Sequence, residues 1–430
     1  MKLIKQLNLK HSILILIVLT FIFGRVLMGV NIFSLRLGEI LMGLSAIYLI
    51  KELVEELRRI KTFSLIDRLI TTSVFLILLH FLYLIIINGY RYFDLYPFKT
   101  SSYIWVLGGY YLGKRLSYNF SSKFSIYSMF FALIVSYFSS IFGITERYQD
   151  LILQLTDKFD YLKASDLLIF FVFFLYHVLK ANYGYSKFNI NLLLIFAFFY
   201  LPLMLNKSRG ASIAFLYIIA YLLFKYIKGK PKPINYLLIV FCSSIMFITS
   251  TFIVSKSPLD LQEINEKIVK ISTARYEKPV QNKPQAGGDY PFIYFEDSRI
   301  FSGDGNLNWR FQIWQDVLSD TKSKNLTLIG YGYNFKIPAM DYDFRSGNDG
   351  TNENVHNFFI NIFARGGLIH LCLFIGVFIL LFIKSIKSNK SSMYLLILIP
   401  ALTTAFFDPA MENAHYPLIF YFLMGNITKD

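Results

Sequence analysis

The sequence predicts an all-α polytopic membrane protein with about 12 transmembrane helices and one large loop. Of its 430 residues, 55% are hydrophobic and only 17% are charged, and the mean hydropathy is +0.48. A soluble domain with that balance would precipitate. The apolar residues fall in blocks of roughly 16–22, the length a helix needs to cross ~30 Å of hydrocarbon. The blocks are continuous, whereas a membrane β-barrel would alternate apolar and polar residues along short strands.

The expected spans are 12–30, 35–50, 69–88, 102–116, 124–144, 166–180, 190–206, 210–227, 235–254, 367–384, 393–407 and 412–427. Lys2, Lys5 and Lys10 precede the first and imitate a signal peptide. The run is too long for one and has no small-residue cleavage site, so it reads as a retained helix. Basic residues then concentrate in alternate connections: Arg58, Arg59, Lys61 and Arg68 in one, Lys225, Lys228, Lys230 and Lys232 in another, Lys384, Lys387 and Lys390 in a third. That asymmetry places both termini of a multi-pass membrane protein in the cytoplasm. Because the basic residues are spread between spans, the net charge of +15 is a topology signal and nucleic acid is excluded as a partner. Cys242 and Cys372 both lie in apolar blocks and form no disulfide or CxxC framework.

Three regions follow: an N-terminal transmembrane bundle of about nine helices (1–254), a large loop on the outer face (255–355), and about three C-terminal helices (356–430). A loop of such length is usually functional. Within it DLQEINEKIVKIST could be helical and KPVQNKPQAGGDYP reads as irregular. NLNWRFQIWQDVLSD reads as an amphipathic helix with Trp309, Phe311, Trp314 and Val317 or Leu318 on one face, and GYGYNF as a turn.

Candidate chemistry gathers at the outer face. LNKSRGAS (205–212) puts Lys207, Ser208 and Arg209 between two spans, against the basic-inside trend. Arg310 lies in the loop helix. NENVHNFFINIFARGG (352–367) places His356 and Asn357 at a helix start, with Arg365 beyond. Arginine's planar fork grips phosphate oxygens and keeps its charge, so arginines at headgroup level suit a diphosphate. Histidine titrates near neutrality and can take a proton from a hydroxyl. Each residue also has a bland reading: a helix-end arginine as a snorkelling anchor, a histidine as a cap, the tryptophans as loop core. His80 and His177 read as packed polar residues and His370 as facing a span interior. His415, in DPAMENAHYP, could be a second functional histidine with Glu412 as companion. DYD (341–343) has the form of a metal motif, but no metal or other cofactor is expected.

SRGA (208–211), WRFQIW (309–314), GYGYNF (330–335) and VHNFFINIFARGGLIH (355–370) together resemble the O-antigen ligase/polymerase superfamily of bacterial surface-polysaccharide assembly. The resemblance implies a GT-C-like membrane glycosyltransferase, metal-independent, with an undecaprenyl-diphosphate-linked glycan as donor and a glycan or lipid A-core as acceptor. A chain-length regulator protein is a further partner that the family implies. Carried over by motif, His356 is the catalytic base that activates the acceptor hydroxyl. Arg209 and Arg310 bind the diphosphate, and Asn357, Arg365 and Lys207 support them. Asn357 would orient His356 or bind a sugar. Polymerisation is slightly favoured over ligation to lipid A-core. The competing class is a lipid-linked glycan transporter or flippase, which would show related halves and mid-membrane charge; a non-catalytic scaffold is the third.

Overall fold

The structure is a computed structural model. It describes residues 2–33, 35–58, 64–88, 95–116, 120, 122–143, 156, 162–180, 187–256, 293–342, 345, 354–387 and 391–428. The stretches DLQEINEKIVKIST and KPVQNKPQAGGDYP lie outside the described residues. Helix dominates, as expected. The chain runs α1 (Lys2–Gly29), β1 (Asn31–Ile32), β2 (Leu35–Arg36), α2 (Leu37–Leu57), α3 (Leu65–Asn88), α4 (Leu95–Thr100), α5 (Ser102–Trp105), α6 (Gly108–Leu116), α7 (Lys123–Phe142) and α8 (Ala164–Lys180). It continues with α9 (Lys187–Lys207), α10 (Arg209–Lys228), α11 (Pro233–Ser255), β3 (Tyr294–Glu296), β4 (Arg299–Phe301), α12 (Gly305–Ser323), α13 (Phe358–Lys387), α14 (Ser391–Phe407) and α15 (His415–Thr428).

Seven helical segments among the described residues are long and apolar enough to cross a membrane: His11–Gly29, Leu65–Tyr83, Lys123–Phe142, Ile190–Lys207, Arg209–Lys228, Pro233–Ser255 and Phe358–Lys384. The chain is therefore an all-α, multi-pass membrane protein. The other expected spans depart from a simple crossing helix for visible reasons. The 35–50 block lies in α2, which carries Glu39, Lys51, Glu52 and Glu55. The 102–116 block breaks into α5 and α6. The 166–180 block is the 17-residue α8, and 393–407 and 412–427 fall in the 17-residue α14 and 14-residue α15. Apolar content alone did not reveal their length. The tenth expected span lies in α13, which begins at Phe358 rather than 367, because its first turns pack into the loop.

The chain folds as two compact units that cut across the sequence regions. The first comprises Met1–Thr62, Ser102–Leu259 and Leu381–Asp430. Its centre is α8, where every residue from Ala164 to Leu179 is buried. A helix apolar all round has to be enclosed by others, and the Phe21 and Phe170 rings stack 4.5 Å apart where it packs on α1. Backbones touch where α6 meets α15: a Cβ on Gly113 would lie 2.1 Å from the Phe422 carbonyl oxygen. Small residues allow that approach, as at membrane helix interfaces generally.

The second unit comprises Phe63–Ser101 and Asp260–Leu380. Here α12 starts at Asp304, whose carboxylate accepts the Leu307 amide at 2.9 Å. It buries Ile313, Trp314 and Val317 against Ile337, Ala339, Met340, Val355, Phe363 and Ala364, with Trp309 and Phe311 at the edge. The amphipathic face is the expected one, with Val317 inside and Leu318 exposed. The antiparallel hairpin β3–β4 pairs Tyr294 with Phe301 and Glu296 with Arg299.

Candidate functional site

Three consecutive residues at the start of α13 do different jobs. Val355 is buried, and its carbonyl accepts a 2.7 Å hydrogen bond from Trp314 Nε1–H. Asn357 is buried and caps the helix: its Oδ1 accepts the amides of Phe359 at 2.9 Å and Ile360 at 3.1 Å. Such a cap satisfies amides that have no partner within the helix. Between them His356 is half-buried and sits at φ +55°, in the left-handed region. That conformation costs a side-chain-bearing residue about 1 kcal/mol or more and persists where its surroundings over-determine it. The two anchored neighbours supply that constraint. The His356 ring meets the Trp309 ring edge-on, with centroids 4.8 Å apart. Arg310, half-buried, follows Trp309 on α12.

GYGYNF and ARGG, separate in sequence, form one splice. Gly367 breaks α13 with φ +66° and ψ −169°, which frees backbone groups on both sides of the break. The segment before GYGYNF and its first residues take them up. The amides of Tyr331 and Gly332 donate to the carbonyls of Ala364 (2.7 Å) and Arg365 (2.8 Å), and those of Leu368 and Ile369 donate to Thr327 (2.9 Å) and Leu328 (3.3 Å). Two glycines permit the approach. A Cβ on Gly330 would lie 2.5 Å from the Arg365 carbonyl carbon, and one on Gly367 2.2 Å from that of Leu328.

Arg365 is consequently deep inside this unit. It is 2% exposed, with Nη1 donating to the Phe335 carbonyl at 3.0 Å and Nε to Asn361 Oδ1 at 3.3 Å. One helical turn on, Tyr333 Oη lies 2.7 Å from His370 Nδ1, and the Tyr333 ring meets His80 and Phe81 edge-on. His80 is thus a half-buried, packed residue, as the sequence suggested, and His370 is buried against Tyr333.

Sequence reasoning missed the ionic frame of the loop. Asp316 pairs with Arg299 and with the buried Arg345, both at 2.7 Å, and the Arg345 guanidinium also reaches the Ala339 carbonyl. Spacing alone does not reveal the pair, since Asp316 and Arg345 are distant in the chain. Tyr342 donates to Asp320 at 2.8 Å, which with burial raises its pKa. Tyr331 is pushed up to about 12 by burial, with the charge of Asp320 adding to it. The DYD stretch is part of this frame: Asp341 pairs with Lys336 at 2.7 Å, and Asp343 lies outside the described residues.

In the first unit the SRGA turn divides its labour similarly. Ser208 caps α10 by accepting the Ala211 amide, Gly210 lies against Phe407, and Ala211 is buried. Arg209 is exposed at the helix N-terminus. A cation there opposes the helix dipole, so the turn itself gains nothing from it. Lys207 Nζ donates to the Leu162 carbonyl at 3.1 Å. His415, for which Glu412 was a possible companion, pairs with Asp166 at 2.7 Å.

Residues 192–375 match the family model described as O-antigen ligase. The match supports a place in the O-antigen ligase/polymerase superfamily. The matched part is under half of the chain, and it contains Lys207, Arg209, Arg310, His356, Asn357 and Arg365. No curated protein matches the chain. The matched segment is of a ligase/polymerase type. It also gives the splice at Gly367 and the turn at His356 a shared context, since both fall within the matched segment.

Proposed function

We propose that the protein is a membrane glycosyltransferase that moves an undecaprenyl-diphosphate-linked oligosaccharide to an acceptor hydroxyl on the periplasmic face. The observation that carries the reading is His356: a titratable side chain in a left-handed backbone conformation, fixed by Trp314–Val355 on one side and the Asn357 cap on the other. Strain held at one histidine, within the segment that matches O-antigen ligase, fits a positioned base better than a surface residue.

In the proposed step a ring nitrogen of His356 takes the proton of the acceptor hydroxyl. The oxygen attacks the anomeric carbon of the donor sugar. The bond from that carbon to the diphosphate breaks, and undecaprenyl diphosphate leaves with the electron pair. Arg310 stabilises the charge gathering on the leaving group. Asn357, Arg365 and Lys207 act behind these groups, as cap, loop anchor and turn anchor. Repeat-unit polymerisation and ligation to lipid A-core are the same attack by different nucleophiles, and the family description favours considering ligation alongside polymerisation.

Purified protein with a synthetic undecaprenyl-diphosphate oligosaccharide tests this. Wild type should release lipid diphosphate, lengthening the glycan if it polymerises, or only after lipid A-core is added if it ligates. His356→Ala should stay folded and release none. An active His356→Ala would sink the assignment.

A further inference from the structure

The turn that follows α12 carries two exposed apolar side chains: Leu328 is 62% exposed and Ile329 52%. Backbone bonds fix the level at which they stand. The amides of Leu368 and Ile369 in α13 donate to the carbonyls of Thr327 at 2.9 Å and Leu328 at 3.3 Å. Leu368 and Ile369 are themselves exposed.

That level lies inside the bilayer. The crossing segment of α13 holds no Asp, Glu, Lys or Arg from Gly366 to Ile383, a run roughly 27 Å long at 1.5 Å per residue. Spanning ~30 Å of hydrocarbon uses all of it, Leu368 and Ile369 included. Irregular backbone enters hydrocarbon only where its polar groups find partners within the protein. Three consecutive carbonyls of the turn do so: that of Leu326 accepts the Gly330 amide at 2.7 Å, and those of Thr327 and Leu328 accept from α13.

The approach to the turn is polar. Asn325, at φ +57°, closes α12, and the Leu326 amide donates back to the Thr321 carbonyl at 2.8 Å. Lys322 and Lys324 are exposed beside it, and Lys324 Nζ lies 5.4 Å from the centre of the Tyr331 ring. Cations and an aromatic ring flanking apolar side chains match the headgroup layer, where lysines meet lipid phosphates.

We propose that residues 322–331 form a membrane anchor, with Leu328 and Ile329 among the acyl chains of the leaflet at this end of α13 and Lys322 and Lys324 among its phosphates. Continuity with the exposed Leu368 and Ile369 of a crossing helix makes lipid the occupant of this surface. The anchor sets the height at which α12, and with it Trp309 and Arg310, stands at the bilayer. It does not depend on the transferase reading.

Nitroxide labelling of the full-length protein tests the proposal, with Cys242 and Cys372 replaced by alanine, in vesicles of phosphatidylethanolamine and phosphatidylglycerol. Labels go on Leu328→Cys and Ile329→Cys. Ile375→Cys in α13 is the lipid reference, and Glu296→Cys in β3 the aqueous one. Collisions with a water-soluble nickel chelate at 328 and 329 should fall about ten-fold or more below those at 296, because hydrocarbon excludes a polar solute at least that strongly. Oxygen collisions there should match those at 375. Nickel collisions equal to those at 296 put the turn in water and overturn the proposal. Protection from both reagents puts it beneath protein and overturns it equally. If the labelled variants fail to fold, wild type decides. A phospholipid with a diazirine in its acyl chain should crosslink within 326–332, and crosslinks confined to other segments refute the anchor.

Discussion

Replacing Gly367 with alanine should detach the 326–332 segment from α13. At φ +66° and ψ −169° the backbone is in a region that glycine alone occupies comfortably, so a side chain there costs about 1–3 kcal/mol. The new Cβ would lie 2.2 Å from the carbonyl carbon and oxygen of Leu328, and relieving such overpacking costs about 1–3 kcal/mol more. If the strands of the splice part, the bonds from Leu368 to Thr327 and from Ile369 to Leu328 go as well, at about 1 kcal/mol each. The total is roughly 4 kcal/mol or above, close to the ~5 kcal/mol that holds a marginal domain together. Hydrogen exchange on the purified protein reads the result directly. Peptides covering 326–335 and 366–372 should exchange much faster in Gly367→Ala, and the Trp309/Trp314 fluorescence should melt at lower temperature. Gly43→Ala is the control. Its added Cβ meets nothing within 4 Å in α2, and it should be neutral or stabilising by about 0.5–1 kcal/mol. Protection at Leu368 and Ile369 unchanged from wild type in Gly367→Ala would refute the splice.

Other perturbations have equally definite outcomes. Asn357→Ala removes the cap and should lower stability by about 1 kcal/mol, while Asn357→Asp restores it; turnover per folded molecule that collapses in both would give Asn357 a chemical role beyond capping. Trp314→Phe deprives the Val355 carbonyl of its donor, costing about 1–3 kcal/mol, and should depress transfer further by loosening His356; a melting shift with full turnover would separate the two residues. Arg310→Lys keeps the charge and loses the fork, so KM for the lipid donor should rise roughly ten-fold, and an unchanged KM would remove Arg310 from the diphosphate site. Tyr331, raised from 10.0 to about 12, favours the folded state below pH 10 and loses that contribution as pH climbs toward 12; phenolate absorbance should show a late-titrating tyrosine that Tyr331→Phe abolishes.

Much of the site was legible because its motifs are local. VHN reads as a helix start from three adjacent residues, and the structure places a capping asparagine there. The face of α12 followed from periodicity, because a helix repeats regularly enough for Trp314 and Val317 to share a side. The role of GYGYNF was not legible. A glycine pair signals a turn, but nothing in the string says that its amides serve a helix break more than thirty residues later. Nor could Asp166 be named as the partner of His415, since the two are brought together only by the packing of α8 against α15.

Sequence alone determined the class of this protein: blocks of apolar residues can reside only in a membrane, and there only as helices, because no water remains to satisfy an open backbone. It also determined the family segment, which short motifs carry in order. The tertiary structure decided the length of the helix each block forms, 17 residues in α8 and α14 and 14 in α15. It decided, too, which charged residues are structural. Arg345 and Arg365 are turned inward while Arg209 remains exposed, and burial of a charge depends on partners that folding alone brings within reach.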